Sequence, residues 1–388
     1  SGAVGRTTSP VRPGLRPAQA GLGRVFTRGR AVNNLIRYGA TPDVFSRAEE
    51  YPGLYLARVI SQHKGFYKVI TEQGEALAEV SGKFRHQGSA LAEYPAVGDF
   101  VMLGHAEAES GNAVMYHVLP RKSVFARAAV GHEGQSQIIA ANVDIIFICM
   151  SLNNDYNLSR LERYLAIAWT SEARPVIVLT KSDLCPDVPG VLDEIEAVAP
   201  GVEVCLTSMH DPVSYAAVSA LMESGITASF IGSSGVGKST LINRLAGEDI
   251  VRTSAIRGDD RGKHTTTRRE MLVLPRGGIV IDTPGMREIG VQEADLSRTF
   301  ADVEAFAAEC RFNDCSHDAE PGCAVRRALE SGQLDQRRLA NYQKLKREAR
   351  YFGLSSRQLE AKKLNGMFES MGGMKKIRNH IRQKDKRR

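Results

Sequence analysis

The sequence predicts a multi-domain α/β protein with an N-terminal OB-like β-barrel, a parallel sheet with helices on both faces, and a C-terminal helical domain. Three observations predict this fold class. Short β-type runs recur between turn residues over residues 54–118, and apolar strands alternate with helical stretches after Asn142. After Gln292 the chain is helical and charged, with a Cys/His cluster inside it. A chain of 388 residues is long enough for two or three such domains.

These shifts divide the chain into five regions. They are a basic flexible N-terminal arm at residues 1–45, an OB-like barrel at 46–120, a nucleotide-binding domain at 121–292, a zinc-binding helical domain at 293–350 and a basic C-terminal extension at 351–388. Residues 1–30 contain six Arg and no acid, and residues 375–388 contain eight Lys/Arg and one Asp. Such ends suit a polyanion, because a Lys or Arg beside a phosphate releases counterions. Solvated disordered tails are the alternative.

The barrel is predicted from five short strands with no clear helix between them. An OB-type barrel is the natural candidate, and such barrels often bind oligonucleotides. A small β module without nucleic-acid contacts is the alternative. The five runs are Leu54–Ser61, Phe66–Thr71, Ala76–Val80, Asp99–Leu103 and Ala113–Val118.

The parallel sheet is predicted from continuous apolar strands, which are typical of strands buried on both faces. Helical spacing over Ser159–Trp169 supplies one of the covering helices. The predicted strands are Val143–Cys149, Pro175–Leu179, Val202–Leu206, Ala228–Ile231 and Ile279–Ile281.

A phosphate-binding loop follows the strand Ala228–Ile231 and opens a helix. Its sequence fits G-x-x-x-x-G-K-[ST], in which backbone N–H groups and a helix N-terminus surround the phosphates. Lys238 should reach the β- and γ-phosphates, and Ser239 should bind Mg²⁺. The predicted phosphate contacts are Gly232, Ser233, Ser234, Gly235, Val236, Gly237, Lys238, Ser239 and Thr240.

Guanine is indicated by a second motif, the run Thr180, Lys181, Ser182 and Asp183, which resembles the N/T-K-x-D box. Asp183 would accept hydrogen bonds from the guanine N1–H and the N2 amine, which adenine lacks, while Lys181 packs along the base. Thr207 and Ser208, after the strand Val202–Leu206, fit the weaker fifth base-contacting element.

The catalytic side of the site is predicted from two further runs. Asp282 ends a strand and begins D-T-P-G, so it belongs near Mg²⁺, with Gly285 beside the γ-phosphate. The run G-K-H-T-T-T at 262–267 is a candidate switch loop, and we assign Thr266 to Mg²⁺. Met286 stands where Ras-type enzymes have the Gln that orients water, so turnover should be slow unless another group supplies that function. We assign catalytic roles to Lys238, Asp282 and His264, with His264 as the candidate for orienting water. The alternative is that His264 is an exposed loop histidine that takes no part in catalysis.

The order of these motifs predicts a circularly permuted P-loop GTPase domain. Ras-type chains run from the P-loop through the switch and D-x-x-G to the two base-binding elements. Here the base-binding elements come first, at 180 and 207, and the P-loop follows at 232. One nucleotide site can still assemble from this order.

A zinc site is predicted from Cys310, Cys315, His317 and Cys323. Three thiolates and one imidazole make a closed tetrahedral shell, which is typical of structural zinc. The ion would stabilise a short helical domain that has few large apolar residues.

These motifs together resemble the circularly permuted ribosome-associated GTPases of the RsgA (YjeQ) family. The resemblance covers about residues 50–350, and several runs carry it: 139–144 (IAANVD), 157–164 (NLSRLERY), G-K-H-T-T-T and 282–288 (DTPGMRE). Thr180 stands where many members have Asn, and the family points to the same switch histidine. The resemblance implies GTP hydrolysis in late maturation of the small ribosomal subunit, with rRNA binding, activation by the subunit and one Zn²⁺ per chain.

The predicted function is therefore that of a GTP hydrolase, with Mg²⁺ bound beside the nucleotide. A nucleic-acid-binding module that holds nucleotide as a structural ligand is the second hypothesis. A P-loop ATPase is the third, opposed by Lys181 and Asp183. With no long apolar run and no secretory signal in the sequence, we expect a cytoplasmic monomer without membrane contact.

Overall fold

A computed structural model of the protein describes most of the chain between residues 34 and 358. The described residues are 34–63, 65–82, 84, 91–106, 111–128, 136–153, 155–250, 270–282, 296–351 and 358. Among them, no helix is both long enough and apolar enough to cross a membrane.

The N-terminal barrel is closed, as predicted for an OB-like module. Its strands pair in the order β1-β2-β3-β5-β4, and a further β1–β4 pairing closes the ring. The β3–β5 pair is parallel and its other pairs are antiparallel. The strands are β1 (Tyr55–Gln62), β2 (Tyr67–Thr71), β3 (Gly74–Val80), β4 (Phe100–Leu103) and β5 (Ala113–Val118).

Ordered structure begins before the barrel, which corrects the predicted arm at residues 1–45. Residues 34–37 are helical, and helix α1 spans Pro42–Glu49. Leu35 is completely buried, and Phe45 packs against the same small core beneath the barrel. The burial of these apolar side chains explains why the arm cannot extend to residue 45. Residues 1–33 lie outside the described residues.

The nucleotide-binding domain is a mostly parallel sheet with helices on both faces. The strand order is β10-β9-β8-β11-β13-β12, and β12 alone of these strands pairs antiparallel. Helices α2 and α3 cover one face, and α4 and α5 cover the other. The elements are β8 (Ile145–Ser151), α2 (Leu158–Thr170), β9 (Arg174–Thr180), α3 (Val188–Val198), β10 (Val204–Thr207), α4 (Ala216–Ala220), β11 (Thr227–Ile231), α5 (Lys238–Ala246), β12 (Glu270–Val273) and β13 (Ile279–Asp282).

A two-stranded hairpin connects the barrel to this sheet in sequence. It consists of β6 (Val124–Ala128) and β7 (Ser136–Ala141). The barrel also joins the sheet directly, because Ser61 of β1 pairs with Glu270 of β12. Eleven described strands therefore form one continuous hydrogen-bonded sheet.

The C-terminal domain packs on α2 through a shared core. Phe300, Val325 and Tyr342 are buried in the same cluster as Leu161 and Leu165 of α2. The sequence interpretation that few large apolar residues hold this domain is therefore incomplete, because its core is continuous with that of the sheet domain. Its helices are α6 (Leu296–Thr299), α7 (Ala301–Ala308), α8 (Ala324–Glu330) and α9 (Gln336–Tyr351).

Candidate nucleotide site and metal centre

The predicted nucleotide-binding residues meet at the carboxyl ends of β9, β10 and β11. Ligands of open α/β sheets bind at this edge, where the strand order changes direction. Here β11 lies between β8 and β13, and the phosphate loop begins at the carboxyl end of β11. The permuted order of the motifs therefore still brings them to one edge.

The phosphate loop turns sharply between β11 and α5. Gly232 has a φ of 148°, and a Cβ there would lie 2.3 Å from the carbonyl oxygen of Cys149, so a side chain cannot fit. Gly237, with a φ of 103°, caps the N-terminus of α5. The Nζ of Lys238 donates to the carbonyls of Gly232 and Ser233, at 2.8 and 2.6 Å. Ser239 and Thr240 follow in the first turn of the helix, and Ser234 and Gly235 are exposed.

The guanine motif contacts this loop directly. The Thr180 hydroxyl donates to the carbonyl of Val236, and the Nζ of Lys181 donates to the carbonyl of Gly235 at 3.0 Å. Lys181 adopts a left-handed conformation, with a φ of 54°, where the strand ends and the loop begins. The threonine, in the position where many family members have Asn, thus ties the base-binding motif to the phosphate loop.

Asp183 is held by the fifth element. The Ser208 hydroxyl donates to Asp183 Oδ1 at 2.5 Å, and the Ser182 hydroxyl donates to the carbonyl of Thr207 at 3.3 Å. The hydrogen bond from Ser208 is the main reason that the pKa of Asp183 is lowered. The carboxylate is therefore an ionised acceptor at neutral pH, which suits recognition of N–H groups.

The catalytic side of the site is described only in part. Asp282 is the last residue of β13, at the same edge of the sheet. His264, Thr266, Gly285 and Met286 lie outside the described residues, as does the side chain of Asp282. Their roles remain predictions.

The four predicted metal ligands converge in the C-terminal domain. Their ligand atoms lie within 4.8 Å of one another. His317 Nδ1 is 3.6 Å from the thiols of Cys310 and Cys323, which are 3.9 Å apart. Bonds of about 2.3 Å to sulfur and 2.0 Å to nitrogen in a tetrahedron would separate ligand atoms by roughly 3.5–3.8 Å. The residues therefore fit a structural zinc ion.

Local structure prepares these ligands. Cys323 is the N-cap of α8, and Cys310 follows the end of α7. Burial lowers the pKa of His317, which favours the neutral imidazole that a metal requires. Although burial opposes it, hydrogen bonds from the backbone N–H groups of Val325 and Ala324 lower the pKa of Cys310.

Comparisons with known proteins identify the family of the chain. The family model described as RsgA GTPase matches residues 118–292. The small ribosomal subunit biogenesis GTPase RsgA 2 of Lactiplantibacillus plantarum is 49% identical over 346 residues, which cover 89% of this chain and 97% of that protein. This chain belongs to the RsgA GTPase family. Members of this family are GTP hydrolases, so the predicted enzyme class is confirmed.

Further relatives of the RsgA GTPase family support the same assignment. RsgA 1 of Listeria innocua is 44% identical, with 85% of this chain and 93% of that protein aligned. The crystal structure of YjeQ from Thermotoga maritima has a TM-score of 0.57 and 28% identity, over 76% of this chain and 98% of that chain. YloQ, a circularly permuted GTPase, shares the fold with a TM-score of 0.54 and 24% identity, over 77% of this chain and 96% of that chain.

The structure also shows two residues of α2, one at the nucleotide site and one behind it, whose contacts the sequence did not predict. Arg160 of α2 donates to the hydroxyl of Ser233 in the phosphate loop at 2.6 Å. Two residues further along, Glu162 is buried and faces the C-terminal domain. Both lie in the run NLSRLERY, and its amphipathic spacing does not identify such distant partners.

Proposed function

We propose that this RsgA-family GTPase acts in biogenesis of the small ribosomal subunit, binding the subunit and its rRNA and hydrolysing GTP in response. The observation that carries the proposal is the contact of Thr180 and Lys181 with the phosphate loop, beside an Asp183 oriented by Ser208. These contacts link base recognition to phosphate binding. The relatives from Lactiplantibacillus plantarum and Listeria innocua are named small ribosomal subunit biogenesis GTPases, which supports the choice of partner.

Each predicted residue has a distinct role in this proposal. Lys238 and the backbone of the phosphate loop bind the β- and γ-phosphates, while Asp183 selects guanine. Ser239, Thr266 and Asp282 would hold Mg²⁺, which neutralises charge on the phosphates during transfer. Gly285 would contact the γ-phosphate.

Water positioning is assigned to His264. The thioether of Met286 cannot orient water, and the switch loop offers the imidazole as a replacement. Binding of the subunit would bring this imidazole to the attacking water, so hydrolysis should be slow without a partner.

Binding to rRNA is assigned to the barrel and to the basic ends of the chain. Tyr55, Phe66 and Tyr116 of the barrel region are each more than 40% exposed, and exposed aromatic rings can stack on unpaired bases. Zinc held by the Cys/His cluster would fix the loop between α7 and α8. We expect the protein to act as a monomer in the cytoplasm.

The test is the rate of phosphate release from GTP with increasing amounts of small ribosomal subunits, with large subunits as the control. We expect slow basal turnover, stimulation by small subunits alone, and loss of most of that stimulation in His264→Ala. The loss should be on the order of 10²-fold, as for other proton-handling groups. His264→Gln should retain part of it, since an amide can also orient water.

Two results would contradict the proposal. Unchanged turnover at saturating small subunit would favour a binding module that uses nucleotide as a structural ligand. Full stimulation of His264→Ala would instead show that the water-positioning group lies elsewhere.

A further inference from the structure

The first turn of α2 contacts the phosphate loop through Arg160. Its Nη1 donates to the Ser233 hydroxyl at 2.6 Å and to Asp155 Oδ1 at 2.7 Å. The carbonyl of Ser233 also accepts a hydrogen bond from Lys238. Ser233 therefore lies between the guanidinium of Arg160 and the lysine that should bind the phosphates.

Charge alone does not explain this contact. Asp155 forms an ion pair with Arg160, so its carboxylate offsets the positive charge of the guanidinium beside the phosphate loop. The other carboxylate oxygen, Oδ2 of Asp155, is buried and has no hydrogen-bond partner in the described part of the chain. The fixed geometry of the pair suits an orienting role better than direct attraction of nucleotide.

The same turns of α2 hold the zinc-binding domain. Glu162, which is completely buried, accepts hydrogen bonds from Arg337 at 3.1 Å, from Arg338 at 3.0 Å and from Asn341. The Asn341 amide also donates to the carbonyl of Ser159 at 3.1 Å. Residues 159–162 thus connect the phosphate loop on one side with α9 on the other.

The connecting segment is rigid. Asn157 caps α2, since its side chain accepts from the backbone N–H of Arg160 at 2.8 Å. Leu161 and Leu165 of the same helix are buried in the main core. A displacement of α9 against α2 would therefore be passed to Arg160 rather than absorbed by a loop.

We infer that Arg160 is a positioning residue for the phosphate loop, and that through it helix α2 couples nucleotide binding to the docking of the zinc-binding domain. The inference rests on the proposed function, because nucleotide affinity is its readout. Coupling of this kind is reciprocal: whatever shifts α9 on α2 changes nucleotide affinity, and nucleotide changes the docking of α9 by the same factor.

The first experiment is a double-mutant cycle with fluorescent GDP and GTP. Arg160→Ala and Ser233→Ala should each weaken binding by about three- to tenfold, the usual effect of losing one hydrogen bond. Because each change removes the same contact, the double variant should bind no more weakly than the weaker single variant. Arg160→Lys should restore part of the affinity. Arg174→Ala, which removes an exposed pair with Glu203 at the opposite edge of the sheet, is the matched control.

The second experiment measures amide hydrogen exchange in α9 with and without GDP. We expect GDP to slow exchange in α9 of the unmodified protein but not of Arg160→Ala. Three results would each overturn the inference. The first is that the effects of the two single substitutions add in the double variant, and the second is that Arg160→Ala binds nucleotide within twofold of the unmodified protein. The third is that GDP does not change exchange in α9 of either protein. If the unmodified protein binds ADP as tightly as GDP, the proposed function itself is wrong. That result can be distinguished from a failure of the inference, which would show only in the variants and in the exchange of α9.

Discussion

The central domain meets its two neighbours through very different polar contacts, best seen in two buried arginines. Burial lowers the pKa of Arg58, at the barrel interface, to about 10, because Asp144 and Asp99 only partly offset the loss of water. At the zinc-domain interface burial also disfavours the charged form of Arg338, but its hydrogen bonds to Asp302 and its pairing with Glu162 raise its pKa overall.

The barrel interface is built largely on backbone groups. Arg58 donates to the carbonyls of Gly98, Tyr38 and Asn142 and to the hydroxyl of Thr227, and it stacks on a phenylalanine ring of β4. The Gly98 φ of 98° lets the chain approach the neighbouring strand, since a Cβ there would lie 2.0 Å from the carbonyl oxygen of Ala141. The continuous sheet adds backbone pairing to this interface.

The zinc-domain interface instead depends on side-chain charges above a shared apolar core. Glu162 is the acceptor, and Arg337 and Arg338 are the donors, while Asp302 pairs with Arg338 within the zinc-binding domain. Backbone hydrogen bonds and strand pairing fix the orientation of the barrel on the central sheet. Ion pairs between side chains, in contrast, can form and break without disrupting any helix or strand. The barrel and the central sheet are therefore joined by continuous backbone pairing, whereas the docking of the zinc-binding domain is the contact that we expect to respond to nucleotide.

The largest expected effect comes from breaking the barrel interface. Arg58→Ala leaves several buried acceptors without a donor and opens a cavity, so we expect the free energy of unfolding to fall by about 3–5 kcal/mol. Urea denaturation measures this loss. Arg47→Ala, at an exposed pair with Asp43, should change stability by less than about 0.5 kcal/mol. A loss below about 1 kcal/mol in Arg58→Ala would mean that this arginine does not hold the two domains together.

A smaller and more local effect is expected from the zinc-domain interface. Glu162→Ala leaves Arg337 without its buried partner, while Arg338 keeps Asp302, so we expect a loss of about 2 kcal/mol. Hydrogen exchange should rise in α9 and stay unchanged in the barrel strands. Equal loosening of both domains would show that the two interfaces are not distinct.

Loss of zinc should have the most confined effect. We expect metal analysis to find about one zinc per chain, and Cys315→Ser to abolish it. Exchange should then rise over residues 310–323, while α9 stays docked, because Tyr342 and Glu162 hold it independently. Cys205→Ser, at a buried thiol of β10, is the matched control and should keep its zinc. Purified protein that contains no zinc while residues 310–323 remain ordered would rule out a structural metal site.

The sequence predicted the features that short-range patterns encode. The barrel strands begin and end within two residues of their predicted positions. The four metal ligands predicted from the Cys/His spacing lie together in the structure. Contacts between distant residues were not predictable, because a charged residue on a helix has no local signal for its partner. Arg160 and Ser233 are 73 residues apart, and Glu162 and Arg338 are 176 apart. The ordered segment around Leu35 was missed for a similar reason, since its burial depends on the barrel that follows it.

The most direct test of the central claim, one guanine-specific site assembled from permuted motifs, is the base preference of Asp183→Asn. In the unmodified protein the carboxylate should favour GDP over ADP by about 100-fold or more, since a bound base that covers this acceptor without a hydrogen bond to it is costly. The amide in the variant donates where the carboxylate accepted, so affinity should fall for GDP and rise for XDP, whose C2 carbonyl replaces the N2 amine. Asp211→Asn, at an exposed cap nearby, should leave the preference unchanged. A switch from GDP to XDP is the result we predict; equal binding of GDP and ADP by the unmodified protein, or an unaltered preference in Asp183→Asn, would contradict the account.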